Sequence, residues 1–212
     1  MEFIISSIRC GLEPAPGAAR AGAVLDDDRL APVLGVPLGS AREAIQRLEQ
    51  ESLLRVFPQR GIQIADVTVS GQRDALDYRQ ILEMHAIRHY AQHADIKDIE
   101  ALAQATSAAL ERISVGAVDA ALMEEAVETD WRMHDEIIDS LGNEIVGVNY
   151  RVNAARIRLM RVTQCQVPAR SVEALKEHLA VLQAAMARDV EAAMAALALH
   201  LQVSRKRAIE GR

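Results

Sequence analysis

Aromatic residues make up only 3% of the chain: one tryptophan, three tyrosines and two phenylalanines. With alanine abundant, this scarcity argues against a β-sandwich core and for closely packed helices. Cysteine is nearly absent. Cys10 and Cys165 lie far apart and in no motif, so a disulfide framework is not expected and a reducing cytoplasm is the natural location. No apolar run approaches the roughly 20 residues that a membrane span needs, so no membrane partner is expected. The opening MEFIISSIRC has no basic start and no cleavage site, and does not read as a signal peptide. Beyond residue 69 the only proline is Pro168, which leaves long helices uninterrupted. Positive charge is not in surplus either. The net charge is −6, and residues 1–69 hold seven arginines, no lysine and nine acids. A nucleic-acid partner would need those arginines gathered on one face, because phosphate neutralisation supplies most non-specific affinity.

Half of the 212 residues are apolar, enough for one large core or two small ones. Leu30 to Gly61 is the most patterned stretch. A short helix over Asp28–Leu34 begins on three aspartates and ends at Gly35. A second helix follows, with Ser40 and Glu43 spaced as a capping box. Ala44, Ile45 and Leu48 share one face of it, leaving Arg42, Gln46, Arg47, Glu49 and Gln50 to solvent or a partner. Leu53–Phe57 and Ile62–Val67 read as strands joined by Pro58-Gln59-Arg60-Gly61. Helix, turn, helix and β-wing make a winged helix-turn-helix, whose second helix usually enters the DNA major groove. Ahead of it, residues 3–10 could form a short helix, and 11–24 read as a Gly, Pro and Ala-rich loop.

After residue 69 the apolar spacing is helical throughout, and predicts helices at 71–93, 96–113, 117–140, 144–164, 171–188 and 190–207. Breaks fall at Asp95, Gly116, Gly142-Asn143, Val167-Pro168 and Arg188-Asp189. The fold class is therefore mainly α. A winged helix-turn-helix over 1–69 precedes an all-α six-helix bundle over 70–212, whose short connections make neighbouring helices antiparallel.

Asp130 and His134 are four apart and project from one face of one helix. His178 lies on another helix and His200 on the last, where Leu197, Leu199 and Leu201 surround it. A histidine in such company needs partners for its ring nitrogens. Three histidines and a carboxylate from three helices could hold a divalent transition metal with positions open to a ligand. Equally, His178 and His200 could be ordinary core or surface residues, since spacing constrains only Asp130 and His134. His85, His89 and His93 repeat at i, i+4 and i+8, but one helix face lacks the convergence of a closed site. Arginine forks match carboxylates. Arg79, in a face with Glu83, and Arg156, from a helix also carrying Arg151, Arg158 and Arg161, are candidates for gripping a small organic acid.

The chain resembles GntR-type transcription regulators of the FadR-like branch, with a C-terminal FCD ligand-binding domain, over nearly its whole length. Gly22-Ala-Val-Leu25-Asp-Asp27-Asp-Arg-Leu30-Ala31, Leu34-Gly35-Val36, Arg42-Glu43-Ala44-Ile45, Arg47-Leu48-Glu49 and Arg60-Gly61 are similar to the family's head pattern. Arg79-Gln-Ile-Leu82-Glu83, Asp130-x-x-x-His134, Gly142-Asn143, Glu177-His178 and His200 resemble the motifs of the FCD. The resemblance implies that Asp130, His134, His178 and His200 bind a metal (zinc, nickel or manganese) beside a small carboxylate effector, with Arg79, Asn143 and Arg156 as effector-binding candidates. It also implies a homodimer gripping palindromic operator DNA through Ser40, Arg42, Arg47, Arg60 and Gly61, and no enzymatic activity. Six helices place the bundle nearest the VanR-like subgroup. The head departs from the pattern at Pro37-Leu38-Gly39-Ser40-Ala41, where the family has Ser-Arg-x-Pro-Val. Since the first turn of a recognition helix contacts base edges, altered or weakened operator recognition is expected. Two alternatives stay open: a metal or small-molecule sensor with impaired DNA binding, and a metal-dependent hydrolase, for which no general base or nucleophile motif is evident.

Overall fold

Five of the six long helices after residue 67 open on a side-chain cap, and this punctuation sets the architecture. The computed structural model describes residues 24–25, 36–57, 61–64, 68–115, 118–162 and 168–210. The predicted helices at 3–10 and 28–34 and the wing tip at 58–60, with Arg60, lie outside them.

In chain order the elements are β1 (Val24–Leu25), α1 (Leu38–Gln50), β2 (Leu54–Phe57), β3 (Gly61–Ile64), α2 (Val69–His93), α3 (Ile96–Val115), α4 (Ala120–Asp139), α5 (Glu144–Val162), α6 (Pro168–Met186) and α7 (Val190–Glu210). The strands form one antiparallel sheet in the order β1-β3-β2, with Phe57 opposite Gly61 and Leu54 opposite Ile64. β1 pairs Val24 with Gln63 and Leu25 with Ile62. It was not expected: two residues are too few to show a strand's alternation.

Helix α1 corrects one reading. It begins at Leu38, with Pro37 as its N-cap and no side-chain cap hydrogen bond, so Ser40 lies inside the first turn and the capping box does not form. The extended Pro37 backbone already presents its carbonyl to the Ala41 N–H at 3.0 Å, which starts the helix three residues early. Ala41, Ile45 and Leu48 are the buried face, whereas Ala44 is only half-buried. Glu49 ties α1 to the ribbon by accepting from the Val56 N–H at 2.8 Å.

In the bundle, Thr68, Asp95, Asp119, Asn143 and Asp189 each accept from a backbone N–H in the first turn of the helix that follows. Each satisfies a donor that the helix itself leaves unpaired. α6 instead begins at Pro168, three residues before the expected start; proline suits a first helical position because that N–H has no partner anyway. Gly142, at φ +60°, reverses the chain between α4 and α5 in a conformation that favours glycine. The core joins all six helices through Ile87, Leu102, Met133, Tyr150, Leu182 and Leu197. Burial of each such aliphatic side chain stabilises by roughly 1.5–3 kcal/mol. α2 packs on both α5 and α7, and α6 lies between α3 and α7, so the first helix of the bundle closes against the last. Among the described residues no helix is long and apolar enough to cross a membrane.

Candidate metal centre

Within that apolar core sits a group of buried polar side chains: Arg79 and Glu83 on α2, His134 on α4, His178 on α6 and His200 on α7. One atom from each of the three histidines lies within 4.8 Å of the others, and among the described residues no other such group of three His, Cys, Asp or Glu occurs. The His178 and His200 Nε2 atoms are 3.2 Å apart. Asp130, one turn before His134 on α4, brings Oδ1 to 3.5 Å from His178 Nε2. The structure therefore gathers all four expected residues, three histidines tightly and the carboxylate at their edge.

Carboxylates outside that set hold two of the rings. His134 Nδ1 is 2.8 Å from Glu83 Oε2, and His200 Nδ1 is 2.7 Å from Glu177 Oε2. Because a carboxylate accepts, each Nδ1 donates, which in a neutral ring leaves Nε2 its lone pair. Glu83 Oε1 accepts from Arg79 Nε at 2.6 Å and from the Tyr150 hydroxyl at 2.6 Å. Burial, and the adjacent Glu83, push the Tyr150 phenol well above its usual range, so it keeps the proton it donates. Burial opposes the charge on Arg79, but Glu83 and the other acidic groups around it together more than offset this and keep the guanidinium charged. That guanidinium lies 5.0 Å from the Trp131 ring centre, with Nη1 and Nη2 buried and unpartnered.

Burial is the main influence on the imidazoles. It holds His134 well below its ordinary pKa and lowers His178 to about 3; in each case nearby positive groups add to it. Both are neutral at pH 7, as metal ligands must be. His134 Nε2 is buried with no hydrogen-bond partner, an orphan that a cation would satisfy. The donor set, three imidazole nitrogens with a carboxylate nearby, suits zinc and its neighbours more than calcium or magnesium.

The sign of the pH dependence follows. His134 and His178 have folded pKa values below the unfolded value of about 6.5. Unfolding therefore takes up protons below that pH, and their stabilising contribution, complete above it, is lost on acidification. The metal-free protein should weaken between pH 7 and 5, by up to about 1.4 kcal/mol per pH unit for each group. Urea denaturation across that range reads this; a flat profile would contradict neutral buried imidazoles.

Other expected residues stand elsewhere. Asn143 Oδ1 caps α5 by accepting from the Ile145 and Val146 N–H groups. Arg156 donates from Nη2 to the Glu51 carbonyl at the end of α1, 3.0 Å away. His85 and His93 are exposed on α2, and only the His89 and His93 rings meet, 4.5 Å between centres. Ser40, Arg42 and Arg47 are on the exposed side of α1, where Arg47 pairs with Glu51 at 3.4 Å; Gly61 opens β3. The sequence pattern includes Glu177 only as the neighbour of His178 in the Glu177-His178 motif, and does not include Tyr150 or Arg207 at all.

The FCD domain family matches residues 74–203. The chain belongs to the FCD family. No curated protein matches the sequence. Among solved structures, E. coli McbR/YncC superposes with a TM-score of 0.78 at 20% identity, covering 99% of this chain and 94% of its own. A transcriptional regulator GntR from Rhodococcus sp. RHA1 gives a TM-score of 0.76 at 17% identity, covering 100% and 96%. The Zn2+-bound FCD domain of TM0439 matches 69% of this chain and 96% of its own, with 20% identity and a TM-score of 0.51. The FCD part of the resemblance thus holds, the fold is shared with those solved structures, and the FCD match spans most of the six-helix bundle.

Proposed function

We propose that this FCD protein is an effector-responsive transcription regulator. Residues 1–69 act as a winged helix-turn-helix on operator DNA, and residues 70–212 bind metal and effector and pair two copies of the chain. The observation that carries the reading is the buried triad of His134, His178 and His200, with charged Arg79 nearby and its Nη atoms unpartnered. His134, His178 and His200, with Asp130, would hold a divalent transition metal; zinc fits the donor set, and the zinc-bound relative supports it. The cation would supply local positive charge for a small carboxylate. Arg79 would bind that carboxylate through Nη1 and Nη2, the burial of which excludes water and favours a charge-assisted fork. Asn143 and Arg156 already serve as a helix cap and as a hydrogen-bond donor to Glu51, so Arg79 is the effector residue retained. Effector would change operator affinity only through different affinities for two conformations of the protein.

The six-helix bundle also fits the VanR-like subgroup. On α1, Arg42 and Arg47, with Arg60 of the wing, are the proposed phosphate or base contacts, and Ser40 and Gly61 would approach the backbone. Gel shift with DNA from upstream of the protein's own gene tests this. Binding should weaken steeply with salt, and Arg42→Ala should lower the log–log salt slope by about 1 per head if it contacts phosphate. The early start of α1, with Leu38 exposed in its first turn, favours one second reading: a metal or small-molecule sensor with impaired DNA binding. Absence of any shift at low salt, with a shift gained by Pro37→Ser combined with Leu38→Arg, would select it.

A further inference from the structure

Two carboxylates outside the proposed ligand set share one arrangement. Glu83 on α2 reaches His134 on α4, and Glu177 on α6 reaches His200 on α7. Neither glutamate shares a helix with the histidine it holds. Each divides its oxygens in the same way: Oε2 takes the imidazole Nδ1, and Oε1 takes an arginine. For Glu83 that arginine is Arg79, one turn earlier on the same helix, at 2.6 Å. For Glu177 it is Arg207, at 3.1 Å. His200 and Arg207 are seven apart on α7, so they lie on one face and Glu177 spans two turns of it. His178 is built differently: its Nδ1 is buried with no hydrogen-bond partner.

We propose that Glu83 and Glu177 are positioning residues of the metal centre: each locks one imidazole in the Nδ1–H tautomer with Nε2 turned inward, while His178 is left to adjust. This rests on the metal reading above. Each arginine fixes the second carboxylate oxygen and so the plane of the group, which orients the ring. A carboxylate partner also raises the basicity of a ligating imidazole. His178, unpinned, can present Nε2 as a donor to His200 in the metal-free protein and as a lone pair to a cation. The alternative, that these are ion pairs serving only stability, predicts no tie between either glutamate and the tautomer of a particular ring.

Glu177 gives the cleaner test, because its side chain is 20% exposed and Arg207 is 25% exposed, so both can hydrate when separated. The full chain, stripped of metal with a chelator, is compared with Glu177→Ala and Glu177→Gln by Co2+ titration with Zn2+ competition and by two-bond 1H–15N spectra of the imidazoles. Glu177→Ala should weaken metal binding about 10- to 100-fold. It should also shift His200 from Nδ1–H toward a mixture of tautomers in the metal-free protein, with His134 unmoved. Glu177→Gln keeps an oxygen acceptor for Nδ1–H and should recover most of both. Glu83→Gln should move the His134 signals instead. Affinity unchanged in Glu177→Ala, or an unmoved His200 tautomer, overturns the positioning role alone. Wild-type protein that binds neither Co2+ nor Zn2+ overturns the metal reading, and the role of the glutamates with it.

Discussion

Arg79→Ala should lower the unfolding free energy of the bundle by about 3–5 kcal/mol, the usual cost of removing one partner from a buried ion pair. Arg79 is 1% exposed and Glu83 0%, with 2.6 Å between Nε and Oε1. Without the guanidinium, the Glu83 carboxylate keeps only Tyr150 and His134 as donors, and the dry core must hold an unbalanced charge. Arg79→Lys should recover only part of the loss, because an ammonium is a point charge without the planar fork. Chemical denaturation followed by circular dichroism measures both variants. The exposed pair Arg112–Glu125 provides a control: its side chains are 56% and 47% exposed, and Arg112→Ala should cost no more than about 1 kcal/mol. If Arg79→Ala cost as little as Arg112→Ala, water would have to reach the pair.

Zinc should raise the melting temperature of the metal-free protein by roughly 10 °C when free metal exceeds its Kd by about 1,000-fold. A ligand that binds only the folded state adds about 4 kcal/mol at that excess, and a chain of this length gains a few degrees per kcal/mol. Replacing His134 and His200 together with alanine should abolish the rise and the bound metal. Differential scanning fluorimetry reads the first and elemental analysis the second. Retention of metal by the double variant would move the site away from the triad. The two experiments are complementary, since Arg79→Ala alters the support of one ring while the histidine variant removes two donors.

The bundle was legible because its punctuation is local. Asp95, Asn143 and Asp189 fall between apolar-periodic segments, and each caps the helix that follows. Boundaries slipped where one residue type has two roles. Pro168 marks a break in the sequence but begins α6, and Ser40 is spaced as a cap although the Pro37 carbonyl starts α1 three residues earlier. Of the candidate site, only Asp130 and His134 were joined by spacing; His178 and His200 required the packing of separate helices, or a resemblance, to be placed beside them. The supporting shell was less visible still. Glu177 adjoins His178 in sequence, but consecutive helical residues point about 100° apart, so it serves His200 on the next helix instead. Asn143 carried its own signal: it stands directly before Glu144, the first residue of α5, where an asparagine caps.

The packing of α2 against α7 has a consequence for the order in which the bundle can assemble. Helices α3 and α4, neighbours in sequence that pack together, can associate early. Closure cannot, for Asp77 on α2 finds Arg205 only across 128 residues, and His200 and Arg207 reach Glu177 only when α7 is in place. Until then the parts of α2 and α6 that α7 covers are exposed. Burial of α2 is therefore complete only when α7 has docked. A half-made bundle without α7 exposes apolar surface and is open to misassociation.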